Sequence, residues 1–291
     1  MRWRTIHPRF ETRIALVLCA TLFVAGVVGL ALPEPPAYAD SFAPDWLVLA
    51  AAGMAAAGVV VRLRGPARWP RLDGALTWSG LFLLLWTASG LPIDLLRVVS
   101  LVAPGLMPPG VDWPGLATRA LALAALLVLG HLALTRPAAL SRADCWYGYA
   151  ALALALPYPV LKTWWAVGGS FGLRWPGADG LAGSFALWLP AVPWLLAAAL
   201  SLLLVLTPRW LPRRLLLAAG WSATVVVAMI GPIACWSLVS GLIDGDADFG
   251  AMYGWVFGLF YGSWFLWAIA AAAATRSYQV RSAALRMSAP T

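Results

Sequence analysis

Long apolar runs separated by short polar connectors recur along the whole chain. Each run is close to 20 residues, and an α-helix of that length can cross about 30 Å of hydrocarbon. The runs are continuous, whereas the strands of a membrane barrel alternate between apolar and polar positions. The pattern therefore predicts an all-α integral membrane protein with about eight transmembrane helices, over residues 14–32, 45–63, 74–91, 115–135, 146–169, 184–206, 215–241 and 251–274.

The composition agrees with a chain that lies mostly in a membrane. Of the 291 residues, 62% are hydrophobic and 11% are charged, whereas a soluble domain usually carries about 25% charged residues. The net charge of +8 does not indicate nucleic-acid binding, because the basic residues lie between the spans, where they orient a membrane protein. The expected partners are therefore membrane lipids, a membrane-protein partner or a second copy of the chain.

The connectors predict the orientation. With the N-terminus inside, 16 arginines fall in cytoplasmic segments, and four basic residues fall toward the outside: Arg97, Arg119, Lys162 and Arg174. The positive-inside rule then places both termini in the cytoplasm. Nineteen of the 20 basic residues are arginine, which is typical of GC-rich bacterial genomes and indicates a bacterial plasma membrane.

The first apolar run has two interpretations. Ala37-Tyr38-Ala39 resembles a signal-peptide cleavage site. However, the run over residues 14–32 is longer than the apolar core of a usual signal peptide, which spans about 7–15 residues. We favour an uncleaved first span.

Two outer span ends share a sequence pattern. Trp86–Asp94 reads WTASGLPID and Trp236–Asp244 reads WSLVSGLID, about 150 residues apart. Both place a tryptophan, then Ser-Gly-Leu, then Ile-Asp at the end of a span. Because spans one to four and five to eight also share order and orientation, the pattern predicts an internal duplication, with two parallel four-helix repeats over residues 1–140 and 141–291.

The connectors carry two further predictions. The longest connector, Pro92–Pro114, begins with a helical pattern, which predicts a short helix that lies at the outer interface or folds over the bundle as a lid. Asp73 and Asp144 lie just before predicted spans, where a carboxylate can satisfy free backbone N–H groups, so both are predicted helix N-caps.

The fifth span contains the only lysine, Lys162, in the stretch LPYPVLKTWWAVGG. At ~1.5 Å per residue, Lys162 lies roughly 24 Å along the span, in its outer third. Pro157 and Pro159 each lack a backbone N–H, so the helix is predicted to kink or open there. Pro232 predicts a corresponding kink in the seventh span.

Lys162 has two interpretations that the sequence leaves equally open. In the first, it faces the interior and binds an anionic group or pairs with an acid, for which Asp94 and Asp244 are the natural candidates. Trp164 and Trp165 would then line the site. In the second, Lys162 extends to the headgroups and the tryptophans belong to the interfacial aromatic belt.

The sequence offers few motifs that are typical of enzymes, cofactors or metals. Cys19, Cys145 and Cys235 are far apart, there are two histidines, and no Walker or HExxH motif occurs. We therefore assign no catalytic residue, metal or cofactor, and favour a protein that is not an enzyme.

Two functions follow from these observations. The first is a permease or binder of a small solute or lipid, with an outward-facing site around Lys162. The alternative is a non-catalytic structural or accessory subunit that acts through helix packing, for which the glycines of span eight, Gly254, Gly258 and Gly262, would provide a face. A lipid-modifying enzyme would need a cluster of polar residues that the spans do not provide.

The segment Tyr158–Leu173, YPVLKTWWAVGGSFGL, resembles a signature of uncharacterised bacterial multi-pass membrane proteins, which we associate with actinobacteria. The pattern is an aromatic-Trp-Ala-aliphatic-Gly-Gly string followed shortly by glycine. It is matched by Trp164, Trp165, Ala166, Val167, Gly168, Gly169 and Gly172. The resemblance implies a multi-pass helical membrane protein and carries no assigned activity.

Overall fold

The computed structural model of the chain consists of packed α-helices. The structure describes residues 8–32, 36, 39, 42–44, 46–65, 69–103, 110–134, 145–174, 189–206, 208, 210–244 and 252–287. Within these residues the backbone is almost entirely helical, and the single β-bridge joins Leu173 to Met252. Six helices are long and apolar enough to cross a membrane, and Val192–Leu206 is a shorter apolar helix. The all-α membrane class is confirmed, while the number of eight spans stays a prediction.

The chain divides into two compact units, Met1–Ala139 and Leu140–Thr291, which we name unit 1 and unit 2. Unit 1 contains α1 to α5: Pro8–Gly29, Trp46–Leu63, Pro70–Thr87, Leu91–Ser100 and Trp113–Leu134. Helix α1 packs against α2 and α5, and α3 also packs against α2 and α5. The four long helices of unit 1 therefore form a closed ring in chain order.

Small residues let α2 and α3 approach closely. Ala51, Ala52 and Ala55 of α2 are fully buried, and a Cβ atom added at Gly80 of α3 would lie 2.9 Å from the Cα of Ala55. Close backbone approach through small side chains is the usual basis of helix packing in membranes, because lipid tails are as apolar as a leucine.

Helix α3 begins earlier than the sequence predicts. It starts at Pro70, which suits the first helical position because its missing N–H would have no partner inside the helix. Asp73 is therefore not the N-cap, and that prediction is wrong. Its side chain lies in the first turn, is 1% exposed, and is favourably placed near the positive end of the helix dipole. Asp144 lies outside the described residues.

The predicted helix in the longest connector is confirmed. Helix α4 follows α3 after a turn in which Gly90 has a φ of 85°, a left-handed conformation that glycine adopts without steric cost. Leu91 and Asp94 are the buried residues of α4. The helix therefore turns one polar and one apolar side chain into unit 1.

Unit 2 contains α6 to α10: Trp146–Ala155, Pro157–Ala166, Val192–Leu206, Arg213–Asp244 and Gly254–Met287. Helix α6 packs against α8 and α10, and α9 also packs against α8 and α10. The order of neighbours is the same as in unit 1 when α6, α8, α9 and α10 are matched to α1, α2, α3 and α5. The core of unit 2 includes Ala151, Ala155, Trp194 and Trp267.

Of the three prolines of unit 2 that were expected to disturb spans, Pro157 and Pro232 behave differently. Helix α6 ends at Ala155 and α7 begins at Pro157, so Leu156 joins two helices of 10 residues. Each is about 15 Å long, too short to cross a bilayer alone. By contrast, α9 continues as one helix of 32 residues through Pro232.

Candidate functional site

The ammonium of Lys162 lies against two aromatic rings of its own helix. Its Nζ atom is 5.0 Å from the ring centroid of Trp165 and 5.5 Å from that of Tyr158. The three residues share a face of α7, because positions three or four apart are neighbours on a helix. The lysine is half-buried. The geometry is that of a cation–π interaction with both rings.

The charge of Lys162 is not neutralised by a carboxylate in the described part of the chain. Among the described residues, Arg119 pairs with Asp94 and Asp112, and the imidazole of His131 lies 3.9 Å from a carboxylate oxygen of Glu11. All of these residues belong to unit 1. The rings of Tyr158 and Trp165 are therefore the groups that interact with this ammonium in the described part of the chain.

Trp165 forms the buried side of the site, and its side chain is held in place by packing and a hydrogen bond. Its side chain is 1% exposed and packs with Leu173, Val256 and Phe260. The indole Nε1 donates a hydrogen bond to the carbonyl oxygen of Phe171 at 2.9 Å. A buried tryptophan usually needs such a partner for its N–H. The bond holds the chain that leaves α7 against the side of the site.

The glycines of the Trp-Ala-aliphatic-Gly-Gly motif end α7. Gly168 has a φ of 95° and donates to the carbonyl of Trp165, and Gly169 donates to the carbonyl of Trp164. This pair of bonds is the Schellman pattern that closes many helices at a left-handed glycine. The motif therefore turns the chain sharply just after Lys162 and its two neighbouring tryptophans.

Gly172 ties this turn to α10. Its φ is 84°, and an added Cβ would lie 2.7 Å from Cγ2 of Val256. Its carbonyl accepts a hydrogen bond from the backbone N–H of Tyr253 at 3.1 Å. Only a residue without a side chain fits this conformation and this contact. The end of α7 is thereby joined to the beginning of α10.

A set of aromatic side chains from three helices surrounds Tyr158. We name it the aromatic cluster; its members are Tyr158, Trp194, Phe260, Tyr261 and Trp264. The ring centroid of Tyr158 is 4.7 Å from that of Phe260 and 5.1 Å from that of Trp264. Trp194 and Trp264 stack at 4.6 Å, and Tyr261 is 4.8 Å from Trp264. The Nε1 atom of Trp264 is buried and has no hydrogen-bond partner among the described residues.

The residues that the sequence grouped around Lys162 are only partly brought together. Trp165 lies in the site, whereas Trp164 is 52% exposed on another side of α7. Asp94 is in unit 1 and pairs with Arg119. The side chain of Asp244 lies outside the described residues. At the proposed kinks, Pro159 and Pro232 are buried.

Sequence reasoning missed Tyr158 and the aromatic residues of α10 as neighbours of Lys162. Tyr158 could have been found, because it lies four residues before Lys162 on the same helix face. Phe260 and Trp264 are about 100 residues away in the chain, and no local pattern connects them to α7.

A second polar cluster is centred on Arg119 in unit 1. The Arg119 Nε atom donates to Asp94 at 2.5 Å, and Nη2 donates to Asp112 at 2.8 Å. The guanidinium carbon also lies 5.1 Å from the ring centroid of Phe42. Asp94 is fully buried and Arg119 is 9% exposed. Charge pairing of this kind is how buried ionic groups become tolerable in a membrane protein.

The Arg119 cluster ties three segments of unit 1 to α5. Phe42 comes from the connector between α1 and α2, Asp94 from α4, and Asp112 from the residues just before α5. The carbonyl of Phe42 also accepts hydrogen bonds from Trp86 and Ser89 at 3.3 Å each. The cluster thus holds these three segments against α5 in the interior of unit 1. Arg119 was not identified from the sequence as part of a site.

Comparison with known proteins gives a partial similarity. No family model matches the sequence, and no solved structure matches it. Over 79 residues the chain is 34% identical to the protein named Na(+)/H(+) antiporter NhaA 1 of Pelobacter propionicus, which corresponds to 26% of this chain and 20% of that protein. The match therefore spans about a fifth of the relative's length.

Proposed function

We propose that this protein is a membrane transport or binding protein of a bacterial plasma membrane, with an outward-facing site for a small solute or lipid around Lys162. The observation that carries the proposal is the position of the Lys162 ammonium, half-buried against Tyr158 and Trp165. The partial similarity to a protein named as an antiporter supports a role in transport.

The energetics of Lys162 favour a ligand. Partial burial weakens the hydration of the Lys162 ammonium, and cation–π contact returns about 0.5–2 kcal/mol. An anionic ligand would add an attractive charge beside the ammonium. Ionisable groups inside membrane helices usually mark such functional positions.

The proposed orientation and duplication support an outward site. The arginine-rich connectors favour cytoplasmic termini, which would direct the end of α7 outward. The equal order of neighbours in units 1 and 2 supports two parallel four-helix repeats. We also propose kinship with the bacterial proteins that carry the Trp-Ala-aliphatic-Gly-Gly signature, since its glycines have definite roles at the end of α7.

A second candidate function is exchange of a cation for protons across the membrane. It is favoured by the partial similarity to a Na(+)/H(+) antiporter and by the buried carboxylates Asp73 and Asp94 of unit 1. In proteoliposomes that contain a pH dye, an added sodium pulse should raise the internal pH if the protein exports protons for sodium. An unchanged internal pH at every sodium concentration would remove this candidate.

The accessory-subunit alternative rests on the face of α10. Added Cβ atoms at Gly258 and Gly262 would meet nothing within 4 Å among the described contacts, so this stripe is open to a partner helix. This role would be favoured if the protein bound no solute or lipid through Lys162 and copurified with another membrane protein.

Accessibility of position 162 tests the outward-facing site. In a variant without Cys19, Cys145 and Cys235, a Lys162→Cys substitution should react with a membrane-impermeant maleimide on intact cells. Trp146→Cys, at the opposite end of the α6–α7 pair, is the control and should react only after the cells are permeabilised. If the Lys162→Cys protein is labelled only after permeabilisation, the proposed orientation of the site is rejected.

A further inference from the structure

We infer that α4 and the turn after it are an interaction surface for lipid, whose exposed side lies among the acyl chains at the boundary of the bilayer where α5 begins. We name this side the α4 face; it consists of Leu95, Leu96, Val99 and Val102. The inference goes beyond the proposed function, because it uses residues of unit 1 alone and requires no ligand at Lys162.

The first support is the direction of the three polar side chains of α4. Asp94 is fully buried and accepts a hydrogen bond from Arg119. Arg97 is half-buried, and its Nη1 atom donates to the carbonyl of Gly110 at 3.3 Å. The hydroxyl of Ser100 donates to a backbone carbonyl one turn earlier in the helix at 2.9 Å. The protein itself therefore provides partners for all the polar groups of this helix.

The second support is the apolar character of the opposite side. Leu95, Leu96, Val99 and Val102 are between 45% and 85% exposed. Their spacing of one, four and seven residues places them on one side of a helix. A helix that packs on a protein in water directs its apolar stripe inward and its polar residues outward. Helix α4 does the reverse, so the medium that fits the α4 face is apolar.

The third support is continuity with a spanning helix. Trp78 and Phe82 are exposed on α3, and the segment Pro70–Ser100 as a whole is long and apolar enough to cross a membrane. Between Phe82 and Val102, a stretch that the structure describes throughout, no charged side chain is exposed. The apolar surface of α3 therefore passes into the α4 face without a charged residue that would need water.

Trp113 indicates the depth of α4. It is the exposed first residue of the spanning helix α5, and tryptophans at the ends of spans lie at the level of the headgroups. Its neighbour Asp112 and Asp94 of α4 both accept hydrogen bonds from the guanidinium of Arg119. Helix α4 is therefore held near the level of Trp113. At this boundary the apolar side of a helix enters the bilayer by about 5–10 Å.

Fluorescence quenching in a bilayer tests the α4 face. In the full-length protein without Cys19, Cys145 and Cys235, a Val99→Cys variant would be labelled with the fluorophore NBD and reconstituted in phosphatidylcholine vesicles. The quenchers are phosphatidylcholine brominated near the headgroup, phosphatidylcholine brominated near the ends of the acyl chains, and iodide on both sides of the membrane. We expect the lipid brominated near the headgroup to remove most emission and iodide to remove least.

Further positions make the measurement specific. Leu95→Cys lies one turn earlier on the α4 face and should give the same order of quenching. Val98→Cys is the matched control, because Val98 is half-buried on the side of Asp94, and it should lose less emission to brominated lipid. Arg64→Cys, exposed at the end of α2, should be quenched best by iodide. Labelled variants are compared only where their melting temperature equals that of the wild type.

Three outcomes would overturn the inference. Stronger quenching by iodide than by either lipid, at positions 95 and 99, would place the α4 face in water. Protection from all three quenchers would show that protein, such as a second copy of the chain, covers it. Strongest quenching by the deeply brominated lipid would place α4 inside the span and away from the boundary. These outcomes do not depend on Lys162 or on which side the termini lie, so the test can fail while the proposed function stands.

Discussion

The Nε atom of Arg119 donates a hydrogen bond to the buried carboxylate of Asp94 at 2.5 Å, and so fastens α5 to α4. The two side chains are 10% and 0% exposed. Because both side chains are buried, removing either one would leave the charge of the other uncompensated. The stability of unit 1 should therefore fall by more, on removal of one partner, than the loss of one hydrogen bond would cause.

Arg119→Met should destabilise the protein strongly. Removing one partner of a buried ion pair typically costs about 3–5 kcal/mol, because the remaining charge is left uncompensated. The melting temperature in detergent, followed by circular dichroism, should fall clearly. Arg64→Met is the control, since Arg64 is exposed at the end of α2, and it should melt close to the wild type. Equal melting temperatures for all three proteins would contradict the fastening role.

Gly90→Ala should loosen the turn between α3 and α4. The φ of 85° disfavours a side chain, and an added Cβ would overlap with the ring of Phe42. The left-handed conformation alone costs roughly 1–2 kcal/mol, and the overlap adds to it. Limited proteolysis should then cut near α4 faster than in the wild type.

The matched control for that turn is Gly74→Ala in α3. Nothing lies within 4 Å of its added Cβ, and its backbone is helical. Alanine is favoured over glycine in a helix by about 1 kcal/mol. The control should therefore be neutral or stabilising, and faster proteolysis of the control would invalidate the explanation given for Gly90.

Gly168→Ala and Gly172→Ala should differ in severity. Both glycines have positive φ angles, of 95° and 84°, so both changes carry a backbone cost of roughly 1–2 kcal/mol. At Gly168 an added Cβ meets nothing within 4 Å, whereas at Gly172 it meets Val256. Gly172→Ala should therefore give the lower melting temperature, and the reverse order would show that α10 does not pack there.

Trp267→Phe and Ser201→Ala should be coupled in unit 2. The indole Nε1 of Trp267 donates to the hydroxyl of Ser201 at 3.2 Å, and both residues are at most 1% exposed. Hydrogen bonds between membrane helices are worth about 0.6 kcal/mol on average. A double-mutant cycle on unfolding free energies should therefore give a small favourable coupling, and strictly additive effects would argue against the bond.

The helical spans could be predicted from sequence because continuous apolar runs have one stable solution in a bilayer. The break at Pro157 could be predicted for a similar reason, since a missing N–H is a local property. The effect of Pro232 could not be predicted in this way. The same chemistry leaves α9 continuous, because neighbouring helices and local adjustment can absorb a proline in a membrane helix.

The partners of the charged residues could not be predicted from sequence. Asp94 was matched to Lys162, but Arg97, Arg119 and Lys162 are equivalent partners in a linear reading. The choice of Arg119 depends on the turn at Gly90, which directs α4 back toward α5. The aromatic neighbours of Lys162 depend in the same way on how α10 packs against α7.

Helix α7 is attached to the rest of unit 2 at both of its ends. A single residue connects α7 to α6, whereas Trp165, Leu173 and the Gly172 carbonyl attach the end of α7 to Val256 and Tyr253 at the start of α10. Helix α10 runs for 34 residues, about 51 Å, and its Arg281 bonds the carbonyls of Leu204 and Val205 at the end of α8. The end of α7 that carries Lys162 is therefore connected, through α10, to the end of α8.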